Sequence, residues 1–192
     1  MERTLVLASS SPRRRELMQM LGFRNLIVCP AVGEEHPPEG AGPEEIVGAL
    51  SLSKAREVLE KSPDDALVIA ADTIVWLDGR ALGKPHSEEE AASMLRSLSG
   101  RGHEVYTGVT LMDREGSQTE TERSVVFFRE LSEDEIRRYI DCGEPMDKAG
   151  AYGAQSRGAL FVRRIEGDFF NVMGLPLCLL GQMLAAKGVT VL

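Results

Sequence analysis

The sequence predicts an α/β fold, with a mixed, twisted sheet flanked by helices around a central cleft. Strand-like and helix-like segments alternate over the first third of the chain, hairpin signals dominate the middle, and an apolar helix closes the chain. The 192 residues are enough to bury one good core. We therefore expect a single domain over residues 1-192, built either as one body or as two lobes around the cleft.

The composition argues against some classes of binding partner. The chain is 43% hydrophobic and 27% charged, which is typical of a folded protein. Its net charge of -8 argues against broad binding to nucleic acid or to an anionic membrane, and no apolar run is long enough for a signal peptide or a membrane span. The three cysteines are widely spaced and indicate reduced thiols. We expect a cytoplasmic protein whose ligand is a small molecule held by a local basic cluster.

The first strand and helix predict an anion site. The apolar run Leu5–Ala8 indicates a buried strand, three serines follow it, and Pro12 suits the first position of a helix. The hydroxyl of Ser11 is expected to cap this helix, whose N-terminus offers backbone N–H groups to a phosphate. Cations in a first turn oppose the helix dipole, so at least one of Arg13–Arg15 is expected to serve a negative ligand. The alternative is a solvated basic turn.

A second strand, over Leu26–Cys29, is followed by the adjacent acids Glu34 and Glu35. Two carboxylates at a strand end can hold Mg²⁺, which prefers one or two carboxylates together with substrate phosphates. An ordinary acidic loop is the alternative. The next helix is predicted over Pro43–Lys61, and its Lys54 is expected to be solvated because nothing nearby in the sequence indicates otherwise.

The third strand carries the most functional-looking carboxylate of the chain. The run Leu67–Ala71 is apolar without alternation, as in a strand buried on both faces, and Asp72 interrupts it. An acid in such a run is costly unless it is paired, bound to a metal or placed at a strand end in a cleft. Asp72 is therefore a candidate site residue with Thr73 beside it. The alternative is a buried aspartate satisfied by a backbone turn.

The rest of the chain combines hairpins, capped helices and one glycine-rich loop. Asp78-Gly79 indicates a hairpin that delivers Lys84, a lysine on a backbone constrained by glycine and proline. The aperiodic stretch 143–155 is a candidate functional loop, in which the amide of Gln155 could read a base edge. The other predicted elements are a helix from Ser87 to Leu98, strands over Val105–Met112 and Ser124–Arg129, a helix from Ser132 to Cys142, a strand over Ala159–Ile165, an apolar run over Phe169–Met173 and a last helix ended by Gly188.

These side chains suggest one class of chemistry. Acids for a metal and a base, together with cations for phosphates, are typical of a metal-assisted nucleotide phosphohydrolase. We expect the serine turn, Glu35, Asp72, Lys84 and the glycine-rich loop to converge in the cleft.

Ordered motifs along nearly the whole chain resemble the Maf family. They are Ser9-Ser10-Ser11-Pro12-Arg13-Arg14, Ala71-Asp72-Thr73-Ile74-Val75, Gly83-Lys84-Pro85, Leu98-Ser99-Gly100-Arg101, the stretch 144–153 and Gly174-Leu175-Pro176. The family consists of nucleoside triphosphate pyrophosphatases related in fold to the inosine triphosphate pyrophosphatases. The resemblance implies cleavage of a nucleoside triphosphate to the monophosphate and pyrophosphate, with a divalent metal cation (Mg²⁺ or Mn²⁺), by a cytoplasmic homodimer.

The resemblance also implies roles for single residues. Asp72 matches the family's proton acceptor. Our hypothesis for the mechanism is that Asp72 and Glu35 bind the metal. Glu34 is the other candidate for the second ligand, because the chain is about one residue longer near Arg24-Asn25. The substrate-specificity positions match Arg13, Thr73 and Gln155, and Arg13 with Thr73 resembles the branch acting on dTTP and UTP. The other conserved pocket positions match Ser9, Arg14, Glu35, Lys54 and Lys84.

Two rival classes of function stay open at this point. One is a nucleotide-binding regulator with little turnover, connected with cell division as the family's older name, septum formation inhibitor, suggests. A pure binder need not keep a base beside metal ligands, which argues against it. The other is a nucleic-acid-binding module that uses the arginine cluster, and the acidic balance of the chain argues against that.

Overall fold

A mixed seven-stranded sheet with flanking helices organises the protein in a computed structural model that describes residues 3–23, 26–33, 36–38 and 40–191. Over these residues the strands are β1 (Leu5–Leu7), β2 (Leu26–Val28), β3 (Leu67–Leu77), β4 (Arg80–Leu82), β5 (Gly102–Asp113), β6 (Gly116–Phe128) and β7 (Val162–Glu166). The helices are α1 (Pro12–Met20), α2 (Pro43–Glu60), α3 (Glu88–Leu98), α4 (Glu133–Asp141), α5 (Phe169–Met173) and α6 (Leu177–Ala186). The predicted α/β class is confirmed.

The strand order in the sheet is β2-β1-β3-β5-β6-β7, and β4 pairs with β3 outside this path. β1 pairs in parallel with both β2 and β3, as expected for strands joined through helices. β4 runs antiparallel to β3 after the predicted turn at Asp78-Gly79, and β7 runs antiparallel to β6 with a bulge between Phe127 and Phe128. The alternation at the start of the chain and the hairpin in its middle therefore have the topology that the sequence predicts.

The chain divides into two compact units. Unit 1 comprises Met1–Asp72, Thr107–Glu122 and Gly174–Leu192, and unit 2 comprises Thr73–Tyr106 and Arg123–Met173. The core of unit 1 includes Val6, Val58 and Val68, and the core of unit 2 includes Leu95 and Phe161. The chain passes from unit 1 to unit 2 within β3, between Asp72 and Thr73.

Helix α2 packs tightly against β5 in unit 1. Its buried face contains Val47, Leu50, Ala55 and Val58, as the spacing of apolar residues predicts. Gly108 of β5 lies so close to the helix that a Cβ atom there would be 2.3 Å from the carbonyl oxygen of Val47. Only glycine allows this approach of strand and helix.

The capped helices of unit 2 begin where the sequence predicts. Ser132 and Glu135 form a full capping box at α4, with the Ser132 Oγ accepting from the Glu135 N–H and a Glu135 oxygen accepting from the Ser132 N–H. At α3 the Ser87 Oγ accepts from the Glu90 N–H (3.2 Å), but the Glu90 carboxylate accepts from the N–H of His86 instead of Ser87. The capping box at the start of α3 is therefore only half formed.

Three predicted segments differ from the structure. The strand predicted over Ser124–Arg129 begins earlier, as the long strand β6 (Gly116–Phe128). The strand predicted over Ala159–Ile165 begins as a 3₁₀ helix, Arg157–Phe161, and only Val162–Glu166 is extended. Gly158 lies within this 3₁₀ helix, and its close packing against Gly153 and Tyr139 favours the compact conformation before the strand starts. The apolar run Phe169–Met173 forms the short helix α5. Among the described residues, no helix combines the length and the apolar character that crossing a membrane requires.

Candidate active site

Ser9 and Arg14 are joined in the turn between β1 and α1 of unit 1. Ser9 is 6% exposed, and its Oγ accepts hydrogen bonds from the Ser11 N–H (3.2 Å) and from Arg14 Nη1 (3.4 Å). Arg14 Nε donates to the carbonyl oxygen of Gly174 (2.7 Å). The first and the last motif of the chain therefore meet at one guanidinium, whose orientation at the start of α1 is fixed from two sides.

The start of α1 differs in one detail from the prediction. Ser11 takes the N-cap position and Pro12 the first helical position, but in the described part of the chain the hydroxyl of Ser11 forms no capping hydrogen bond. The backbone N–H of Ser11 donates to Ser9 Oγ instead, so Ser9 holds the turn. Arg13 is half-buried beside Arg14, whereas Arg15 is exposed.

Asp72 and Lys54 form an ion pair in unit 1. Asp72 follows the fully buried run of β3 and is itself 7% exposed. Lys54 Nζ, on α2, donates to Asp72 Oδ1, and its side chain is only 17% exposed. The expectation of a solvated lysine is therefore wrong, because its partner lies 18 residues further along the chain. The ammonium group offsets the cost of burying the carboxylate.

The chain is anchored at Val32 and Gly33, the last described residues before Glu34 and Glu35. Glu34 and Glu35, the predicted metal ligands, lie outside the described residues. The carboxylate of Glu57, one helical turn after Lys54 on α2, accepts from the N–H groups of Val32 (3.0 Å) and Gly33 (3.0 Å). The hydrogen bond from Lys61, together with these two, lowers the pKa of Glu57 to about 2.

The carboxylate of Asp72 fits a hard divalent cation. No group of three or more His, Cys, Asp and Glu side chains suited to a metal occurs among the residues that the structure describes. Mg²⁺ takes one or two carboxylates and completes its shell with water and phosphate oxygens. The buried carboxylate of Asp72, whose Oδ1 accepts from Lys54, is of the donor type that this cation prefers.

In unit 2 the segment that carries Lys84 is tied to the glycine-rich loop. The N–H of Gly150 donates to the carbonyl oxygen of Gly83 (3.0 Å). Gly150 has a φ of +68° and lies so close to Val75 that a Cβ atom would be 2.8 Å from its Cγ2, so glycine is required there. Lys84 is exposed, and Thr73 at the start of the unit is half-buried.

The glycine-rich loop contains Gln155 and a lysine that sequence reasoning did not single out. Gln155 is half-buried between Ala154 and Ser156. Lys148 is 8% exposed, and its Nζ donates to the carbonyl oxygen of Glu144 (2.7 Å) and to Asp147 Oδ1 (2.6 Å). Its position in an aperiodic Gly-rich stretch was a signal for function, but these contacts give it a structural role within the loop.

A buried histidine supports the same loop. His103 is 2% exposed, its Nε2 lies 2.8 Å from the hydroxyl of Tyr152, and its ring packs edge-on against Phe128 and Tyr152. Burial lowers the pKa of His103 to about 4 and raises that of Tyr152 well above its usual range. No local pattern marks His103, because its partner is 49 residues away in sequence.

The structure therefore brings together two pairs of predicted residues, Ser9 with Arg14 and Lys54 with Asp72, both in unit 1. It also joins the Gly83 and Gly150 motifs in unit 2. The roles given to Arg13, Thr73 and Gln155 stay predictions, and so do those of the phosphate and metal ligands.

Known proteins resemble this chain over nearly its full length. A protein of Pelotomaculum thermopropionicum called dTTP/UTP pyrophosphatase is 51% identical over 190 residues, which cover 98% of each chain. A protein of Bacillus velezensis with the same name is 50% identical over 176 residues, or 92% of each chain. The solved structure of the Staphylococcus aureus Ham1 protein has a TM-score of 0.50 and 16% identity, covering 95% of this chain and 98% of that one, which supports the fold.

The model of one protein family, described as Maf-like protein, matches residues 4–187. This range includes every described candidate residue, from Ser9 to Gln155. Because this model matches nearly the whole chain and the relatives are about 50% identical to it, the chain belongs to the Maf family.

Proposed function

We propose that this chain is a nucleoside triphosphate pyrophosphatase that hydrolyses dTTP and UTP to the nucleoside monophosphate and pyrophosphate. The observation that carries the proposal is the similarity to relatives named dTTP/UTP pyrophosphatase, which are about 50% identical to this chain over nearly its full length. The buried ion pair of Asp72 with Lys54 gives it a chemical basis, since it supplies an ionised acid and a cation at one place.

In the proposed reaction Asp72 orients or deprotonates the water that attacks the α-phosphorus, and pyrophosphate leaves. A carboxylate that accepts a proton must be ionised and aimed at the water, and the Lys54 ammonium favours both conditions. Removal of the proton makes the water a stronger nucleophile at the moment when the bond to phosphorus forms.

The cations of the site neutralise the charge of the substrate. Arg14, Lys54 and Lys84, together with the Ser9 turn, hold the triphosphate and stabilise the charge that develops on the leaving group. The double anchoring of Arg14 by Ser9 and Gly174 supports this role, because a pre-oriented guanidinium loses less side-chain freedom when a phosphate binds.

Asp72 and Glu35 would hold Mg²⁺ or Mn²⁺, with Glu34 as the other candidate for the second ligand. When bound, the metal supplies positive charge against the phosphate oxygens. The anchoring of Val32 and Gly33 by Glu57 supports a defined path for the chain up to these acids.

Base selection is assigned to Arg13, Thr73 and Gln155. A glutamine amide offers one acceptor and two donors, which can match the hydrogen-bonding edge of a uracil or thymine ring. We further propose that residues 1-192 act as one pyrophosphatase domain, that the protein forms a homodimer, and that it works in the cytoplasm.

Pyrophosphate release from a panel of nucleoside triphosphates tests the proposal. We expect release that needs Mg²⁺ or Mn²⁺, stops with a chelator and is fastest with dTTP or UTP. Fastest release from 7-methyl-GTP would keep the class of enzyme and overturn the base assignment. No release from any nucleotide, by protein shown to be folded, would contradict the proposed activity and favour a nucleotide-binding regulator.

A further inference from the structure

The loop that carries Gln155 is closed at its base by one carboxylate of unit 2. Glu144 begins the loop, and its Oε1 accepts from the hydroxyl of Ser156 and from the N–H of Gly158 (3.3 Å). Its Oε2 accepts from the N–H of Arg157 (3.2 Å). A single side chain therefore joins the start of the loop to the three residues that follow Gln155.

A buried hydroxyl holds the chain on the other side of Gln155. Tyr139 of α4 is 5% exposed, and its Oη accepts from the N–H of Gly153 (3.1 Å). The same hydroxyl donates to Glu144 Oε1 (2.8 Å). Its ring packs edge-on against Phe161 with the centroids 4.9 Å apart, which fixes the position of the hydroxyl.

The two segments that flank Gln155 also touch directly. A Cβ atom at Gly158 would lie 2.7 Å from the carbonyl oxygen of Gly153 and 2.8 Å from Tyr139 Oη. No side chain fits into this contact. The backbone is therefore fixed two residues before Gln155 and again from the residue directly after it.

The protonation states of the two anchors keep this arrangement constant near neutral pH. Burial, with the hydrogen bond to Glu144, raises the pKa of Tyr139 well above its usual range, so the hydroxyl stays a donor. Burial opposes the charge on Glu144, but hydrogen bonds from Ser156 and Tyr139 outweigh it and lower the pKa of that carboxyl.

The position of the Gln155 backbone matters because a glutamine amide can bind a base in either of two orientations. One orientation of the amide matches uracil or thymine, whose O4 accepts and whose N3–H donates, and the flipped orientation matches cytosine, whose N4 group donates. The residue type alone therefore does not choose between these bases. Rotation about the last side-chain torsion interconverts the two orientations, so the choice depends on the groups around the amide, and the position of the backbone decides which groups these are.

We propose that Tyr139 and Glu144 are positioning residues that set the preference for uracil and thymine nucleotides over cytosine nucleotides, by fixing the chain on both sides of Gln155. This inference rests on the proposed function, in which Gln155 contacts the base. Neither residue is expected to touch the substrate, so both act through Gln155.

The test is Tyr139→Phe, which removes the hydroxyl and keeps the ring against Phe161. We expect the ratio of kcat/KM for UTP to that for CTP to fall about tenfold, because the Gly153 N–H and the Glu144 carboxylate each lose a partner. The fall should arise from a higher KM for UTP, with kcat within about twofold. The variant is expected to weaken binding of the substrate and of the transition state equally, and to leave the chemical step unchanged.

A double-mutant cycle separates a role through Gln155 from general damage. In the Gln155→Ala background, Tyr139→Phe should leave the UTP to CTP ratio unchanged, because the residue through which it acts is gone. Ser156→Ala, at an exposed position, removes one hydrogen bond to Glu144 and should give a smaller loss in the same direction. Tyr106→Phe is the matched control, since it also removes the hydroxyl of a buried tyrosine that donates to a glutamate (3.3 Å) but lies outside the loop.

An unchanged UTP to CTP ratio in folded Tyr139→Phe protein, or an equal loss with every nucleotide that adds to the effect of Gln155→Ala, would overturn the inference. Failure of the proposed function is distinct, since it appears as absent turnover in the wild type. In that case calorimetric binding of UTP and CTP to the wild type and to Tyr139→Phe makes the same comparison, and equal selectivity of the two proteins overturns the positioning role.

Discussion

The two units hold their candidate residues by different means. In unit 1 a cation takes part in each contact: Lys54 binds the carboxylate of Asp72, and Arg14 binds the hydroxyl of Ser9 and the carbonyl oxygen of Gly174. In unit 2 they are buried hydroxyl groups, aromatic edges and glycines without room for a side chain, as at Tyr139 and Gly150. The charged anchor of the Gln155 loop, Glu144, binds hydroxyl and backbone N–H groups and, within the described part of the chain, no opposite charge. Charged anchors suit a charged triphosphate, whose phosphates can compete for them. A neutral base gives weaker and more directional contacts, which require a fixed backbone.

Asp72→Asn should have the largest effect, because it removes the proposed base from the charged group of unit 1. We expect kcat to fall by about 10² to 10⁴. Steady-state pyrophosphate release measures the loss, and a thermal melt shows whether the protein is folded. Asp113→Asn is the matched control, since Asp113 is a buried acid of unit 1 outside the candidate site. Full turnover in folded Asp72→Asn would remove Asp72 from the mechanism.

His103 should make unit 2 sensitive to acid. Because burial holds its pKa at about 4, below the ordinary value of 6.5, the unfolded chain binds a proton that the folded chain does not. Its contribution to stability is therefore complete above pH 6.5 and is lost as the pH falls toward 4. The expected loss in the free energy of unfolding is about 3 kcal/mol.

Urea denaturation of the wild type and of His103→Gln at pH 7.5 and 4.5 measures this contribution. The variant should lose less stability than the wild type between the two pH values. His86→Gln, at an exposed histidine of the same unit, should follow the wild type. Equal pH dependence of all three proteins would contradict the buried, neutral state of His103.

Asp113→Asn should have the smallest of these effects and should separate stability from activity in unit 1. Asp113 ends β5 and accepts from Arg3 Nη2 (2.8 Å), from Lys187 Nζ (3.2 Å) and from two backbone N–H groups of the following turn. Hydrogen bonds to a charged group are worth about 2 kcal/mol, so the free energy of unfolding should fall by about that amount. Urea denaturation measures the fall.

The kcat/KM of Asp113→Asn should not change, because the residue has no proposed part in the reaction. Asp64→Asn is its control, since Asp64 is fully exposed and lies 3.6 Å from Arg114. An exposed pair of this kind contributes little, so its loss should leave the unfolding transition unchanged. A fall in turnover with an unchanged transition in Asp113→Asn would place Asp113 in the site.

Local patterns predicted the elements well, and contacts between distant segments account for the errors. The apolar run before Asp72 predicted a buried strand because burial on both faces leaves a direct mark in the sequence. Lys54 was expected in solvent because its acid comes from another element. The hydrogen bond of His103 and the close packing of Gly158 likewise depend on Tyr152 and Tyr139, and the local sequence around His103 and Gly158 does not indicate these partners.

The candidate site was predicted from motifs, and the structure adds how its parts are supported. Nothing in the serine turn indicates that Ser9, and not Ser11, holds it, because both hydroxyls could reach a neighbouring N–H in an isolated chain. The tertiary bond from Arg14 to Gly174, 160 residues away, selects the arrangement that is observed.

The close approach of Gly108 to α2 couples the position of this helix to that of β5. Lys54 and Glu57 sit on it one turn apart, so any shift of the helix axis moves the partner of Asp72 and the anchor of Val32 and Gly33 in the same direction. Even one methyl group at position 108 would push against the backbone of Val47 and displace the helix. The choice of residue at position 108 is therefore restricted by the position of α2, although Gly108 has no proposed part in the reaction.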